Sequence, residues 1–226
     1  MKVTYYGHSS FLVEINKTKL LFDPFITPNP LAAQIDINKI ECDYILVSHG
    51  HSDHIADCLA IAERTQATVI SNYEIIVWLQ ARGLKKGHMM NTGGHWIFDF
   101  GKVKCVNAIH SSSMPDGSYG GNPLGFLVET PKKSFYYSGD TALTLDMQLI
   151  GDYKKIDVAL FPIGNNFTMG VDNAVIAAQF VKCDKIVGLH YDTFDIIKID
   201  HQDACDRFAS VGKDLFLIPV GESVSF

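Results

Sequence analysis

ILVSHGHSDHIADCLAIAE, residues 45 to 63, packs His49, His51, Asp53 and His54 into six positions directly after an apolar run. His49 and His51 are two apart, so an extended backbone points their side chains the same way, whereas a helix would splay them. They therefore belong on the turn that leaves the strand, and Asp53 and His54 fall where the following helix begins. A turn of this kind aims four side chains at one spot. Imidazoles seldom gather in a core without a purpose, so H-x-H-x-D-H reads as the first half of a metal site rather than a solvated turn.

Three distant residues share the address of His49. His110 follows VKCVNAI, Asp140 follows SFYYSG, and His190 follows KIVGL, each at the C-terminal end of a β-rich apolar run. Strands that run side by side in one direction bring such ends together, and the crevice there is where open α/β sheets bind ligands. Alone, His110 or His190 would pass for an ordinary core or surface histidine. Together with Asp140 they complete a plausible donor set.

The composition sets the frame for such a site. The chain has 226 residues, 47% of them hydrophobic and 19% charged, which is the profile of a globular protein. No apolar stretch approaches the roughly 20 residues of a membrane span. The first residues, MKVTYYGHSSFLVEI, alternate like a strand and lack the h-region of a signal peptide, so the expected location is cytoplasmic. The five cysteines are scattered and include no C-x-x-C pair, which argues for free thiols in a reducing compartment. A net charge of −6 gives no electrostatic reason to expect nucleic-acid binding.

Short β-rich runs recur along the whole chain, from KVTYY and SFLVEI at the start to LFLIP and SVSF at the end. Helical patterns lie between some of them: residues 55 to 65, NYEIIVWLQARG ending on Gly83, DNAVIAAQFVKC opening on Asp172, and DHQDACDRFASVG stopping at Gly212. Hairpin-like strands come first, then strand–helix alternation, and a similar order returns in the second half. This predicts two packed sheets with helices outside, in one domain spanning 1–226. Two long loops, 23 to 41 and 110 to 125, are candidates for binding loops or lids.

SHGHSDH followed in order by His110, Asp140 and His190 resembles the metallo-β-lactamase superfamily. More closely, YYGHSSFLVE, LLFDPF, YSGDTALTLDM, PIGNNFTMG and HYDTF resemble the UPF0173 group of metal-dependent hydrolases. The resemblance implies an α/β fold, a four-layer αβ/βα sandwich of two mixed sheets flanked by helices. It also implies a dinuclear centre: His49, His51 and His110 on one metal, Asp53, His54 and His190 on the other, and Asp140 bridging. Two divalent ions are expected, zinc first, with manganese, iron or nickel also suited to the mixed N/O set. A bridging hydroxide would be the nucleophile, with Asp53 as the catalytic residue that orients it. His at position 51, where redox di-iron branches of the superfamily carry glutamate, favours hydrolysis.

The resemblance also brings His8 near the metals, as a support to the ligands or a hydrogen-bond donor to substrate, against the alternative of a turn histidine bonding nearby backbone, and it points to a homo-oligomer. Asp23 is expected to hold a ligating imidazole by its free ring N–H, against the alternative of an Asx turn ahead of Pro24. Asn166 and Thr168, with Asn165 and Met169, are expected to line the pocket, against the alternative of an ordinary turn before the helix at Asp172, and Tyr191 and Thr193 either to touch substrate or to pack. His88, His95 and His201 have no ligand-like context, and Trp78 reads as core. The expected reaction is hydrolysis of an ester, lactone or phosphodiester bond in a small molecule. The competing readings are a metal-loaded binding or sensing protein with little turnover, and a nucleic-acid phosphodiesterase.

Overall fold

The computed structural model describes residues 1–226. Strands β1 (Lys2–Gly7), β2 (Ser10–Ile15), β3 (Thr18–Phe22), β4 (Tyr44–Leu46), β5 (Thr68–Asn72) and β6 (Gly87–Met90) form the first sheet. Strands β7 (His95–Phe98), β8 (Gly101–Asn107), β9 (Leu124–Glu129), β10 (Ser134–Tyr137), β11 (Val158–Pro162), β12 (Lys185–Leu189) and β13 (Asp214–Phe216) form the second. The last strand, β14 (Ser223–Ser225), returns to pair with β1.

Two-residue periodicity sorts the strand side chains into layers. Phe11, Val13, Leu20 and Phe22 face Val103, Phe126, Phe135 and Tyr137 in a core shared by the two sheets. Their neighbours Leu12, Leu21 and Ile45 face outward under helices α2 (Cys58–Thr65) and α3 (Tyr73–Gln80). In the second sheet Leu127, Tyr136 and Phe161 face outward under α4 (Asp146–Tyr153), α5 (Val171–Phe180) and α6 (His201–Ser210). Strands buried on both faces read as continuous apolar runs, as VALFP does in β11. The result is the expected four-layer αβ/βα sandwich.

The strand orders are β14-β1-β2-β3-β4-β5-β6 and β7-β8-β9-β10-β11-β12-β13. In both, three antiparallel pairings are followed by three parallel ones. The recurring order expected from sequence is therefore a full repeat of topology. It fixes direction: β1, β3 and β4 run one way in the first sheet, and β8, β10 and β12 run together in the second. Backbone bonds tie these ends across the sheets, with His190 donating to His8 O at 2.8 Å and Leu124 to Ser48 O at 2.8 Å.

Several local expectations need correction. The helix read over 55–65 is two pieces, α1 (Ser52–Ile55) and α2, because Asp57 leaves the helical ladder. Its carboxylate accepts from Ile26 N at 2.7 Å and Thr27 N at 2.8 Å, so the break pins the 23–41 loop. Helix α5 starts one residue before Asp172, with Gly170 as its N-cap. Strand β6 and helix α4 gave no signal, since GHMM lacks alternation and Gly151 interrupts the α4 pattern. Gly151 is there for contact: an added Cβ would stand 2.5 Å from Phe180 O and 2.8 Å from Val181 Cα. Gly151→Ala is expected to push α4 off α5 and cost about 1–3 kcal/mol, read as a lower urea midpoint with unchanged slope.

Candidate metal centre

The donor residues sit just past the strand ends that topology brings together. His8 follows β1, Asp23 follows β3, His49 lies beyond β4, His110 beyond β8, Asp140 beyond β10, and His190 follows β12. Three of these exits are left-handed at non-glycine residues: His8 at φ 55°, Asp23 at φ 40° and His190 at φ 54°. Such conformations are costly and persist only where surrounding contacts enforce them. Here they turn three buried polar side chains toward the donor cluster instead of along the strand.

Three sets of donor atoms cluster: Asp23 with His49 and His54 is the buried, hydrogen-bonded support, and the other two reach the crevice. The ring nitrogens of His49, His51 and His110 lie within 4.8 Å of one another, as do the donor atoms of His8, Asp53, His54 and His190. Asp140 stands between the groups, its Oδ2 3.0 Å from His190 Nε2, 3.2 Å from His54 Nε2 and 3.9 Å from His110 Nε2. His49 Nε2 and His51 Nδ1 are 2.9 Å apart. Ligand atoms about 2.0–2.2 Å from a common ion stand roughly 3–3.5 Å apart, so these spacings suit shared coordination. His54 Nε2, Asp140 Oδ1 and His190 Nδ1 are buried without hydrogen-bond partners, although His54 Nε2 and Asp140 Oδ2 are close. His54 Nε2 and Asp140 Oδ2, close without hydrogen-bond alignment, stand as two atoms aimed at a common point do. The residues fit divalent ions.

Hydrogen bonds behind the donors fix which nitrogen faces inward. Asp23 Oδ2 accepts from His54 Nδ1 at 2.8 Å, from Ser48 Oγ at 2.5 Å and from Tyr137 Oη at 2.5 Å, while Oδ1 accepts from Ser48 N at 2.7 Å. Ser48 Oγ in turn accepts from His49 Nδ1 at 2.9 Å. With Nδ1 protonated, His49 presents an Nε2 lone pair to the crevice, and His54 does so once the proton on its Nε2 is displaced. His8 lies 3.1 Å from Asp53 Oδ2 through Nε2 and 3.0 Å from Thr193 Oγ1 through Nδ1. A neutral ring satisfies both if Nε2–H donates to Asp53 and the Thr193 hydroxyl donates to Nδ1. His8 is fully buried, so it touches Asp53 and not the solvent side of the crevice.

The electrostatics call for a cation. Burial pushes the His49, His51 and His110 imidazoles below their ordinary range and takes His8 down to about 4, leaving lone pairs free. Burial also acts to lower His54, but Asp140 and Asp23 outweigh it and raise that ring well above its usual value. Burial acts to raise Asp140 and Asp53, and the neighbouring imidazoles outweigh it and hold both below the carboxylate range. A proton on His54 is thus the smallest cation these carboxylates can hold.

A cavity of about 500 Å³ opens over the cluster, lined by His51, Asp53, His110, Asp140 and His190 together with Phe25, Phe167, Phe194 and Ile196. Asn166 and Thr168 are not in this lining, contrary to expectation. Asn165 and Asn166 both take left-handed φ, Thr168 Oγ1 donates to Met169 O, and Phe167 between them supplies the wall. Tyr191 packs, stacked on Tyr5, and Thr193 holds His8. The 110–125 loop is tied down rather than free: Asn72 Nδ2 donates to Gly120 O and Asn122 O, and Trp78 and Arg82 hold Asp116. Trp78, read as core, is half-buried and serves this anchor. His88 packs on Trp96 and Phe98, His95 opens β7, and His201 pairs with Asp192. Ser48 and Tyr137 had no sequence signal, because a serine and a strand tyrosine are common everywhere.

Fold and donor set define a metallo-β-lactamase-type protein. The beta-lactamase superfamily domain family matches residues 18–191, and the chain belongs to that family. Within it, the chain is a member of the UPF0173 metal-dependent hydrolases. It is 54% identical over 224 residues to the UPF0173 metal-dependent hydrolase of Flavobacterium johnsoniae, covering 99% of each chain. The corresponding protein of Christiangramia forsetii is 52% identical over 225 residues, again with 99% of each covered. Among solved structures, Igni18, a metallo hydrolase from Ignicoccus hospitalis, superposes with a TM-score of 0.90 at 34% identity, covering 100% of this chain and 97% of that one.

Two outcomes follow from the buried network. Asp23→Asn cannot accept from all of the donors that Asp23 serves, and metal affinity is expected to fall about 10–100-fold in a chelator competition. Because the raised His54 pKa keeps its proton above the ordinary 6.5, an incoming ion must displace that proton. Apparent affinity should therefore climb as pH rises from 6.5 toward the folded pKa. Calorimetry in two buffers of different ionisation enthalpy would read the released proton; equal heats in both would contradict it.

Proposed function

We propose that the chain binds two divalent ions, zinc in the first instance, and hydrolyses an ester, lactone or phosphodiester bond in a small molecule. His49, His51 and His110 would hold one ion, Asp53, His54 and His190 the other, with Asp140 shared. The observation that carries this reading is Asp140 Oδ2 within 4 Å of His54, His110 and His190 between two separate donor groups. Manganese, iron or nickel would also suit the mixed N/O group. Bound ions of this kind supply Lewis acidity and lower the pKa of water from about 15.7 to roughly 7.

The chain's own residues do the positioning. His8 and Thr193 fix Asp53, whose side chain is part-exposed and faces the cavity. Asp53 stays ionised, so its carboxylate accepts a hydrogen bond from the attacking water and orients it. Asp23 and Ser48 hold His54 and His49 in one tautomer each. Phe25, Phe167, Phe194 and Ile196 give the cavity an apolar side. The five free cysteines, four of them buried, support a reducing, cytoplasmic setting, and no helix is long and apolar enough to cross a membrane.

Elemental analysis of the reconstituted protein is expected to give two ions per chain, with turnover in an ester and phosphodiester panel. Asp140→Ala should lose metal and activity together. Full retention of both by that variant would overturn the assignment.

A further inference from the structure

The cleft over the donor cluster has two lobes of different chemistry, and neither contains a cationic side chain. One is the cavity walled by Phe25, Phe167, Phe194 and Ile196 above Asp53 and His190. The other, about 490 Å³, is walled by Ser112, Ser113, Ser118, Tyr119 and Asn122. His110 and Ser111 border both, so the lobes meet over the donor cluster. No Lys or Arg lines either one. Lys198 and Arg207, which line a separate pocket, lie outside both linings and are paired, with Asp195 in one case and Asp172 and Asp203 in the other.

Resting on the hydrolase reading above, we infer that the substrate is an uncharged carboxylic ester or lactone, apolar on one side of the scissile bond and hydroxyl- or amide-bearing on the other. Phe167, Phe194 and Ile196 are 54%, 40% and 61% exposed around a single opening. Large apolar side chains gathered at a cleft mouth mark a surface that gains by being covered. A charged substituent placed there would lose water and find no partner. In the other lobe Ser112 and Ser118 already donate to Gly120 O and Asp116, which leaves the Ser113 hydroxyl and the Asn122 Nδ2 amide to meet neutral polar groups of a ligand. Phosphoryl-transfer sites commonly add Arg or Lys to their metals to hold the equatorial oxygens, and this cleft adds none. In the reaction, water adds across the acyl C–O bond: its oxygen joins the carbonyl carbon, its proton goes to the leaving oxygen, and an acid and an alcohol result.

The test uses the zinc-loaded full chain. Its probes are 2-hydroxyethyl phenylacetate, the same ester carrying a 4-sulfonate on the ring, and bis(4-nitrophenyl) phosphate. The neutral ester is expected to exceed both others at least tenfold in kcat/KM. Ile196→Arg, on an exposed position, should raise the sulfonated ester at least fivefold relative to the neutral one. Calorimetric binding of N-methylphenylacetamide and its 4-sulfonate should show the same tenfold order in Kd, independently of turnover. Equal binding of the two amides, or faster cleavage of the phosphodiester, would overturn the inference and leave the hydrolase reading standing. Tighter binding of the neutral amide with no probe cleaved would support the pocket chemistry and count against the hydrolase reading instead.

Discussion

The carboxylate of Asp23 is the interaction on which the rest of the centre depends. It is fully buried and takes hydrogen bonds from Ser48 N, Ser48 Oγ, His54 Nδ1 and Tyr137 Oη. A buried charge is tolerable only when its lone pairs are filled, and this one is filled from both sheets. Ser48 lies on the turn after β4, His54 in α1 and Tyr137 in β10, so the bond set closes the sandwich at the edge where the donors gather. The same group that aligns His54 therefore also sets the distance between the two halves of the site. Structure and coordination geometry share one anchor.

Repeated topology explains why donors from opposite halves of the chain meet. Strand β1 has β8 as its counterpart and β3 has β10, by position and pairing in each sheet. His8 and His110 follow the first pair of strands, and Asp23 and Asp140 follow the second. The halves have diverged in use: Asp23 is sealed behind the cluster, while Asp140 stands between the donor groups. One carboxylate spends its lone pairs on protein donors; the other leaves Oδ1 without a protein partner.

Much of this was legible in the sequence, for reasons that can be stated. Spacing placed His49, His51, Asp53 and His54 on a strand-to-helix turn, because backbone periodicity alone decides which side chains share a face. The common strand-end address picked out His110, Asp140 and His190, because parallel strands must end together. What escaped was held by contacts between distant segments. Ser48 matters through Asp23, Tyr137 through a bond across the sheets, and Phe167 through two left-handed asparagines that turn it inward. Asn166 and Thr168 were the visible polar residues of that turn, and the apolar one between them lines the cavity. Strand β6 and helix α4 were lost for a similar reason, since packing rather than propensity stabilises them.

The strained exits and the unpaired donors point the same way energetically. His8, Asp23 and His190 hold left-handed conformations that cost free energy locally, and His54 Nε2, Asp140 Oδ1 and His190 Nδ1 lack partners. A fold with no use for this crevice would relax it, by extended exits or by pairing those atoms. The Asp23 network and the cross-sheet bonds from His190 to His8 and from Leu124 to Ser48 prevent that relaxation. Rigid support behind an under-coordinated cluster is the arrangement that keeps donor positions fixed before a cation arrives, so little reorganisation remains to oppose binding. The stability spent at the edge is offset in the shared core, where Phe11, Phe22, Phe135 and Tyr137 are fully buried against one another. Site and core are thus two ends of the same strands, one end packed for stability and the other held open for chemistry.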